Sequence, residues 1–535
     1  MASTTEGPGP GAAAAGALMV VGTASGAGKS TLTSALCRAF ARRGVDVAPF
    51  KAQNMSNHGA VTPDDGEIGR AQAMQALAAG VETDRRMGPV LLKPSGARSS
   101  HLVVLGEEVG VADAVGYGER AARLRPLVLG ALQGLRSEHE VVVLEGAGGA
   151  AEINLLDRDL VNLPLAAAAG IPAVLVVDIE RGGAFAAAYG TWALLPERLR
   201  ACLRGFVVNS FRGEVSLLEP GLRDLERRTG VPVLGVLPHL GDHLMLGVED
   251  SLDLSTTLPS PAPADTPTGR PVRVRVVRLP HLANPSDLDP LVLEPDVDVR
   301  WATGPADVGD ADLVVLPGSR ATVADLRWLR TRGLDRAIAA LVDDPDGPQV
   351  LGLCAGYQML GVSVADELES GVGTVAGLGL LPVATTFEAP KVVRRVRGTL
   401  TDRSGAGAGA EVRGYEIRWG RTRPVVTGGL SSGVPWCEVD EGEGDVRPEG
   451  CLRDDGRVRG TSVHGLFDSD TLRHTMMADI AAARGRAFAP SPVPWADALD
   501  HHLDHLADWV GASLDIPALL ALARTATPVG REPGW

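Results

Sequence analysis

The chain has 535 residues, of which 45% are apolar and only 4% are aromatic. This length is sufficient for two or more domains with separate cores, and the apolar content excludes a largely disordered chain. The formal net charge of −15 argues against general attraction to nucleic acid or to an anionic membrane.

Three features of the sequence indicate where in the cell the protein is found: the N-terminal segment, the apolar stretches and the cysteines. Residues 1–16 lack the basic start of a secretion signal, so we expect a disordered tail. The longest apolar stretch, residues 163–177, contains proline and is shorter than the ~20 residues that a membrane span needs. The five cysteines have no CxxC spacing, which fits neither a disulfide framework nor a zinc site. We therefore expect a cytoplasmic protein with no membrane or nucleic-acid partner, and a homo-oligomer stays open.

Short apolar runs alternate with helical stretches in the first half of the chain. The runs are ALMVVG, DVAPFK, EVVVLEGAG, PAVLVVDIE, LRGFVVNS and VPVLGVLP. Continuous runs of β-branched residues are typical of parallel strands that are covered on both faces. We therefore predict a doubly wound α/β domain over residues 17–250, followed by a linker rich in Pro, Ser and Thr at 251–270.

The first apolar run leads into a glycine-rich loop, GTASGAGKST at residues 22–31. A loop between a strand and a helix directs backbone N–H groups at an anion. Thr23 stands where the usual phosphate loop has its first glycine, and this longer form resembles the dethiobiotin synthetase-like branch, whose members activate carboxylates with ATP. The residues predicted to contact ATP are Thr23, Gly28, Lys29, Ser30 and Thr31, with Ser30 also on Mg²⁺.

Later strand ends bring polar residues to the same edge of the predicted sheet. Glu145 follows four apolar residues and precedes a glycine turn, where a carboxylate can hold Mg²⁺. Asp178 and Asn209 end the next two predicted strands. In the dethiobiotin synthetase-like branch an asparagine at the position of Asn209 contacts the adenine, but a role as a turn former is equally compatible.

A second α/β unit is predicted over residues 271–485. The apolar rhythm resumes with RVRVVRLP, DLVVLPGSR and PQVLGLCAG and continues to RGTSVHGLF. Residues 486–535 space their apolar residues helically, so we expect a helical extension that packs on this second unit.

Cys354 stands between an apolar run and a helix-forming segment in LGLCAGYQMLG. Gly352 and Gly356 permit a sharp strand-to-helix turn that presents a nucleophile. His464 is the predicted base, and an inert buried cysteine is the alternative.

This constellation resembles a class I glutamine amidotransferase domain, in which the cysteine attacks the glutamine amide and ammonia is released. The resemblance implies an oxyanion hole made by the N–H groups of Gly318 and Ala355. Many such domains have a glutamate two residues after the histidine, but Leu466 stands there. The group that orients His464 is therefore unassigned, and Glu416 is one candidate.

Residues 17–485 as a whole resemble the cobyric acid synthase family. The most specific stretches are KAQNMS at 51–56 and EINLLDRD at 152–159, supported by DIERGGAFAAAYGT, LPGSRATVADLRWLR and CAGYQMLG. The resemblance implies that Lys51 joins Lys29 at the transferred phosphate, and that Glu67 and Glu145 join Ser30 around Mg²⁺. It also implies substrate contacts by Gln53, Asn54, Ser56, Arg70, Arg158 and Arg181, although a solvated surface position is equally compatible with each arginine alone.

The activity implied by the resemblance is amidation of the b, d, e and g carboxylates of adenosylcobyrinic acid a,c-diamide with ATP and glutamine, in cobalamin biosynthesis. Two other amidases share this two-part logic, cobyrinic acid a,c-diamide synthase and the lipid II amidating pair, and KAQNMS disfavours both. A ParA/MinD-like nucleotide switch with a degenerate amidotransferase domain is the alternative from another class. The sequence shows neither the second, upstream lysine of such switches nor a terminal amphipathic membrane helix with a basic face.

Overall fold

The computed structural model describes residues 16–94, 99–113, 117–241, 266–401, 407–426, 433–440 and 446–527. Residues 1–15 of the predicted tail and residues 251–265 of the predicted linker lie outside these ranges.

The first half of the chain alternates strands and helices, as its sequence predicts. In chain order the elements are β1 (Gly16–Gly22), α1 (Lys29–Ala41), β2 (Val47–Phe50), β3 (Gln53–Met55), β4 (Gly59–Val61), β5 (Glu67–Gly69), α2 (Arg70–Ala79), β6 (Val90–Pro94), β7 (Ser99–Val104), β8 (Glu107–Asp113), α3 (Tyr117–Glu138), β9 (Val141–Glu145), α4 (Leu163–Ala168), β10 (Ala173–Asp178), α5 (Ala184–Leu194), α6 (Glu197–Arg200), β11 (Leu203–Phe211), α7 (Glu219–Thr229) and β12 (Val233–Pro238).

The six apolar runs of the sequence become one parallel sheet, in the order β12-β11-β10-β1-β9-β2. Every residue of β1, β2 and β9 is buried, as expected for strands that are covered on both faces. The predicted doubly wound fold is thereby confirmed. Because the strands are parallel, the loop after β1 and the carboxyl ends of β9, β10 and β11 meet at one edge.

Two smaller sheets flank this domain. Strands β4 and β5 pair as an antiparallel hairpin, and β3, β6, β7 and β8 form a four-stranded sheet. The hairpin leads directly into helix α2, which starts at Arg70.

The second half begins after the linker. Its elements are β13 (Val272–Val277), α8 (Asp289–Val292), β14 (Val297–Ala302), β15 (Leu313–Leu316), α9 (Thr322–Arg332), α10 (Leu334–Asp343), β16 (Gln349–Leu353), α11 (Ala355–Leu360), β17 (Ser363–Asp366), β18 (Gly373–Ala376), β19 (Val383–Leu400), β20 (Glu411–Pro424), β21 (Gly433–Val434), β22 (Cys437–Asp440), β23 (Val446–Glu449), β24 (Cys451–Arg453), β25 (Val458–Thr461), α12 (Asp470–Ala482), α13 (Trp495–Ser513) and α14 (Ile516–Ala523).

The main sheet of this half has the order β14-β13-β15-β16-β25-β24-β21, and its first five strands are parallel. A second sheet, β18-β17-β19-β22-β23 with β20 paired to β19, lies beside it. The predicted second α/β unit is therefore also confirmed.

The C-terminal helices pack on the first domain, so the expectation that they pack on the second is wrong. Leu503 and Leu506 of α13 share a buried cluster with Leu36 and Phe40 of α1. Trp509 donates its indole N–H to the carbonyl oxygen of Pro238 at 2.9 Å. The helical spacing of apolar residues predicts that one face is buried, but it does not say against which surface.

Within the described ranges, no single helix is both long and apolar enough to cross a membrane. Helices α13 and α14 pass that test only as a pair bent by 94°. Their apolar residues are in the cluster shared with α1.

We expect Leu503→Ala to lower the free energy of unfolding by about 2–5 kcal/mol, because the side chain is fully buried between α13 and α1. Urea denaturation measures the change. Leu217→Ala is the control, since that side chain is 79% exposed and its loss changes stability by less than about 0.5 kcal/mol. Equal stabilities of the two variants would show that α13 is not part of this core.

Candidate active site

Cys354 occupies a strained turn between β16 and α11. Its φ of +49° and ψ of −106° lie in a region that residues with a side chain rarely adopt. The turn is held by the Cys354 N–H, which donates to the carbonyl oxygen of Thr461 at 2.8 Å. A Cβ atom at Gly356 would lie 1.9 Å from the carbonyl oxygen of Leu316, and one at Gly352 would lie 2.6 Å from the backbone nitrogen of Tyr357. Only glycine fits at these two positions.

His464 lies beside Cys354 and is oriented by Asp287. The Nδ1 atom of His464 is 2.7 Å from Oδ2 of Asp287, and Oδ1 of the same carboxylate accepts from the Gly465 N–H at 2.9 Å. The Tyr415 ring stacks on the imidazole with 5.3 Å between ring centroids. The Cys354 side chain interacts with the same imidazole and contributes to its raised pKa. Cysteine, histidine and aspartate therefore form one connected row.

The charge of the row follows from its surroundings. Burial by itself would lower the pKa of His464, but the Asp287 carboxylate and the Cys354 thiol outweigh it and raise the pKa to about 10. His464 is thus an imidazolium at neutral pH. An adjacent cation favours the thiolate form of cysteine, which is the nucleophilic form.

Asp287 is a functional residue that the sequence analysis missed. It lies in a 3₁₀ turn at Pro285–Leu288, and 177 positions separate it from His464. Glu416, the candidate named from sequence, is not the orienting group. Successive side chains of a strand point to opposite faces, so Glu416 points away from the face on which Tyr415 meets His464. Its buried carboxylate is bonded instead by three arginines, Arg394, Arg418 and Arg447.

A cavity in front of Cys354 is lined by both predicted oxyanion residues, Gly318 and Ala355. A Cβ atom at Gly318 would lie 3.3 Å from Cε1 of His464 and 3.1 Å from the carbonyl oxygen of Ala283, so a side chain there would crowd the pocket. Arg320 and Glu369 form an ion pair in the cavity wall.

The phosphate loop lies at the carboxyl edge of the first sheet. Gly28 adopts a φ of +96°, and α1 starts at the following residue. The buried Lys29 ammonium donates to the carbonyl oxygens of Ala24 at 3.1 Å and Gly148 at 3.2 Å. Asn209 donates to the carbonyl oxygen of Ala27 at 3.0 Å, so it supports the loop from β11, which is two strands away from β1 in the sheet.

Glu145 is the centre of a buried polar cluster beside this loop. Its Oε1 accepts from the Ser30 hydroxyl at 2.7 Å and from the Lys51 ammonium at 2.8 Å. Its Oε2 accepts from the side-chain amide of Gln75. The structure therefore brings together three residues predicted for this site, and it adds Gln75, which the sequence analysis did not single out.

The oxygen atoms of Ser30 and Glu145 fit a Mg²⁺ ion, which prefers hard oxygen ligands and takes its remaining ligands from phosphate and water. No group of three or more His, Cys, Asp or Glu side chains suited to a metal occurs in the described residues. Glu67 is the third residue implied as a Mg²⁺ ligand, and that role stays a prediction. It is paired with Lys93 and Lys391, and in the described part of the chain no hydrogen bond or ion pair joins it to Ser30 or Glu145.

The residues implied as substrate contacts are divided between two regions. Gln53 and Asn54 lie on β3, and Ser56 follows that strand. Arg158 and Arg181 are exposed, on the loops that follow β9 and β10. Five members of the predicted set therefore lie on or after one strand and on two loops of the first domain, and the sixth, Arg70, starts α2 of the same domain.

Arg70 differs from these residues. It lies at the domain interface, where Tyr415, Asp468, Asp289 and Asp287 outweigh the effect of burial and raise its pKa. Arg70 is therefore closer to the His464 row than to the other two arginines of the set.

We expect Asp287→Asn to bring the pKa of His464 down from about 10 towards its ordinary value of 6.5, since the carboxylate that stabilises the imidazolium is lost. Less imidazolium then lies beside Cys354 at neutral pH, and alkylation of this cysteine by iodoacetamide slows. The measurement is the alkylation rate across pH, with Asp343→Asn, an exposed aspartate, as control. An unchanged pH profile would contradict the role of Asp287.

Comparison with known proteins agrees with this arrangement. Residues 18–242 match the family model described as the CobQ/CobB/MinD/ParA nucleotide binding domain. Residues 273–472 match the model described as the CobB/CobQ-like glutamine amidotransferase domain.

Three similar relatives are cobyric acid synthases. A cobyric acid synthase from Frankia casuarinae is 48% identical, and the alignment covers 96% of this chain and 98% of that protein. Those from Nocardia farcinica and Klebsiella pneumoniae are 47% and 42% identical, with 96% and 95% of this chain covered and 98% of each relative. The family resemblance stated from the sequence is thus confirmed, and the chain belongs to the cobyric acid synthase family of glutamine-hydrolysing ligases.

Proposed function

We propose that this chain converts the b, d, e and g carboxylates of adenosylcobyrinic acid a,c-diamide into amides, with ATP and glutamine as co-substrates, and so makes adenosylcobyric acid for cobalamin biosynthesis. The observation that carries the proposal is the presence of two complementary centres in one chain. The row of Cys354, His464 and Asp287 is suited to releasing ammonia, and the phosphate loop with Glu145 is suited to activating a carboxylate.

The cavity wall supports glutamine as the source of ammonia. Free glutamine carries an α-carboxylate and an α-ammonium, so its site needs a cation and an anion side by side. Arg320 and Glu369 supply them. Nε and Nη2 of Arg320 are buried and have no hydrogen-bond partner in the described part of the chain. These two nitrogens form one edge of the guanidinium, which is the edge that binds a carboxylate with two parallel hydrogen bonds.

In the first step the Cys354 thiolate attacks the side-chain carbonyl carbon of glutamine. The N–H groups of Gly318 and Ala355 bind the oxyanion, and the C–N bond breaks as the His464 imidazolium gives its proton to the leaving nitrogen. Ammonia departs and a glutamyl thioester remains on Cys354. Water then hydrolyses the thioester, which releases glutamate and restores the thiol.

In the second centre a substrate carboxylate oxygen attacks the γ-phosphorus of ATP, and ADP leaves. Lys29 and Lys51 are positioned to neutralise the charge that develops on the transferred phosphoryl group. Mg²⁺ held by Ser30 and Glu145 supplies further charge neutralisation when it is bound. Ammonia then attacks the acyl phosphate, the C–O bond to phosphate breaks, and an amide and inorganic phosphate result.

The corrinoid substrate carries several carboxylates, and the polar residues near the loop suit such a ligand. We assign Gln53, Asn54 and Ser56, on and just after β3, to the carboxylate under activation. Arg158 and Arg181 are exposed on loops at the same edge of the sheet, where they can bind other carboxylates of the ring.

We expect Cys354→Ser to abolish amidation driven by glutamine but to leave amidation driven by ammonium salts, because only the source of ammonia is removed. The measurement is product mass after incubation with the corrinoid diamide, ATP and Mg²⁺. Loss of both activities would contradict the division between the two centres. ATP hydrolysis that does not depend on Cys354, with no amidation from either nitrogen source, would favour the nucleotide-switch alternative.

We expect Lys29→Ala to stop amide formation while glutamine hydrolysis continues, since the buried ammonium serves only the phosphoryl transfer. Loss of a positioned cation of this kind costs about 10²-fold to 10³-fold in kcat. Glutamate release and corrinoid amidation are measured in parallel. The control is Arg204→Ala, which removes an exposed cation, and unimpaired amidation in Lys29→Ala would exclude the phosphate loop from the mechanism.

A further inference from the structure

The segment from Asn57 to Arg70 belongs to the nucleotide-binding domain but lies against the ammonia-releasing centre of the other domain. Asn57 lines the same cavity as Cys354. The hairpin β4–β5 follows, and its Val61 packs in a cluster with Tyr415 and Ile417. Because Tyr415 stacks on His464, this segment lies one side chain away from the catalytic imidazole.

His58 and Gly59 make the direct link, through Asn284. The Gly59 N–H donates to Oδ1 of Asn284 at 2.9 Å. The Asn284 N–H donates to Nδ1 of His58 at 3.2 Å. Asn284 adopts a φ of +49° and a ψ of 52°, a left-handed conformation that asparagine tolerates better than most residues. Two hydrogen bonds across the domain interface therefore hold one residue in an unusual backbone conformation.

Asn284 starts the turn that carries the orienting acid. Asp287 is three residues further on, and its N–H donates to the Asn284 carbonyl oxygen at 3.1 Å. On the other side, the Ala283 N–H donates to the carbonyl oxygen of the oxyanion residue Gly318 at 3.0 Å. The loop held by His58 therefore bonds to both the acid and the oxyanion side of the centre.

The protonation state of His58 is set by this contact. A ring nitrogen that accepts from a backbone N–H carries a lone pair, so Nδ1 is unprotonated. Burial, with further contributions from Lys93 and Arg70, lowers the pKa of His58 to about 4. His58 is therefore a neutral acceptor with a fixed tautomer.

Resting on the proposed function, we propose that His58 is a positioning residue for glutamine hydrolysis. From the nucleotide-binding domain it fixes Asn284, and through Asn284 it fixes the Asp287–His464 pair. The ammonia-releasing centre is then completed by both domains, although every group that reacts with glutamine belongs to one of them.

The test compares two substitutions of His58. His58→Leu removes the acceptor, whereas His58→Asn keeps one, since the Oδ1 atom of asparagine takes the place of Nδ1. We expect the leucine variant to lower kcat for glutamine hydrolysis by about tenfold or more, with an unchanged KM for glutamine and unchanged amidation from ammonium salts. The asparagine variant restores most of kcat. His139→Leu, a histidine bonded to Asp46 at 2.8 Å on the first domain, is the matched control.

Three outcomes would overturn the inference: full kcat in His58→Leu, no recovery in His58→Asn, or an equal fall in ammonium-driven amidation, which indicates general loss of structure. A double variant tests the route. If His58 acts through Asp287, then adding His58→Leu to Asp287→Asn lowers kcat little further, and independent, additive losses would exclude that route. Glutamine hydrolysis is measured without the corrinoid. Failure of the wild-type chain to amidate the corrinoid therefore refutes the proposed function, and the comparison of kcat for glutamine hydrolysis among the His58 variants is unaffected.

Discussion

A carboxylate that is buried away from water is tolerated only when donors or cations surround it, and both centres of this enzyme are organised around such a group. Glu145 is fully buried and is paired with Lys51. Asp287 is 4% exposed and is paired with His464. In each case the cation that satisfies the carboxylate is also the group predicted to act in the reaction. The pairing that compensates the charge of each buried carboxylate therefore also fixes the position of a group that is predicted to act in the reaction.

The same constraint operates at the interface between the domains. Glu67 of the hairpin lies between Lys93 of its own domain and Lys391 of the other, and Lys391 also binds Glu108 at 2.8 Å. Burial alone would raise the pKa of Glu67, but the two ammonium groups hold it well below its usual range. Separating the domains would remove both carboxylate partners of Lys391, so the alternating row favours one docked arrangement. Glu67, implied by the family resemblance as a metal ligand, has its described contacts in this row.

Local patterns in the sequence predicted the local structure well. The six apolar runs are the six strands of the first sheet, and the glycines beside Cys354 are where a side chain does not fit. Long-range partners could not be predicted in this way. Nothing near Asp287 in the sequence points to His464, and the periodicity of α13 does not identify α1 as its partner. The alternation of side chains along β20 does exclude Glu416 as the group that orients His464. This argument can be made only once Tyr415 is known to face the imidazole.

The presence of Leu466 where many class I domains have a glutamate is explained by the same packing. Leu466 is 1% exposed and lies in an apolar cluster with Leu288, so a carboxylate there would be buried without donors. The acid comes instead from Asp287, next to Leu288 in the 3₁₀ turn. A carboxylate at position 466 would be placed by the same short segment that carries His464. Asp287 depends on a turn that starts at Asn284, and Asn284 is bonded to the nucleotide-binding domain. One loop therefore carries the acid that is bonded to His464 and also makes contact with the nucleotide-binding domain.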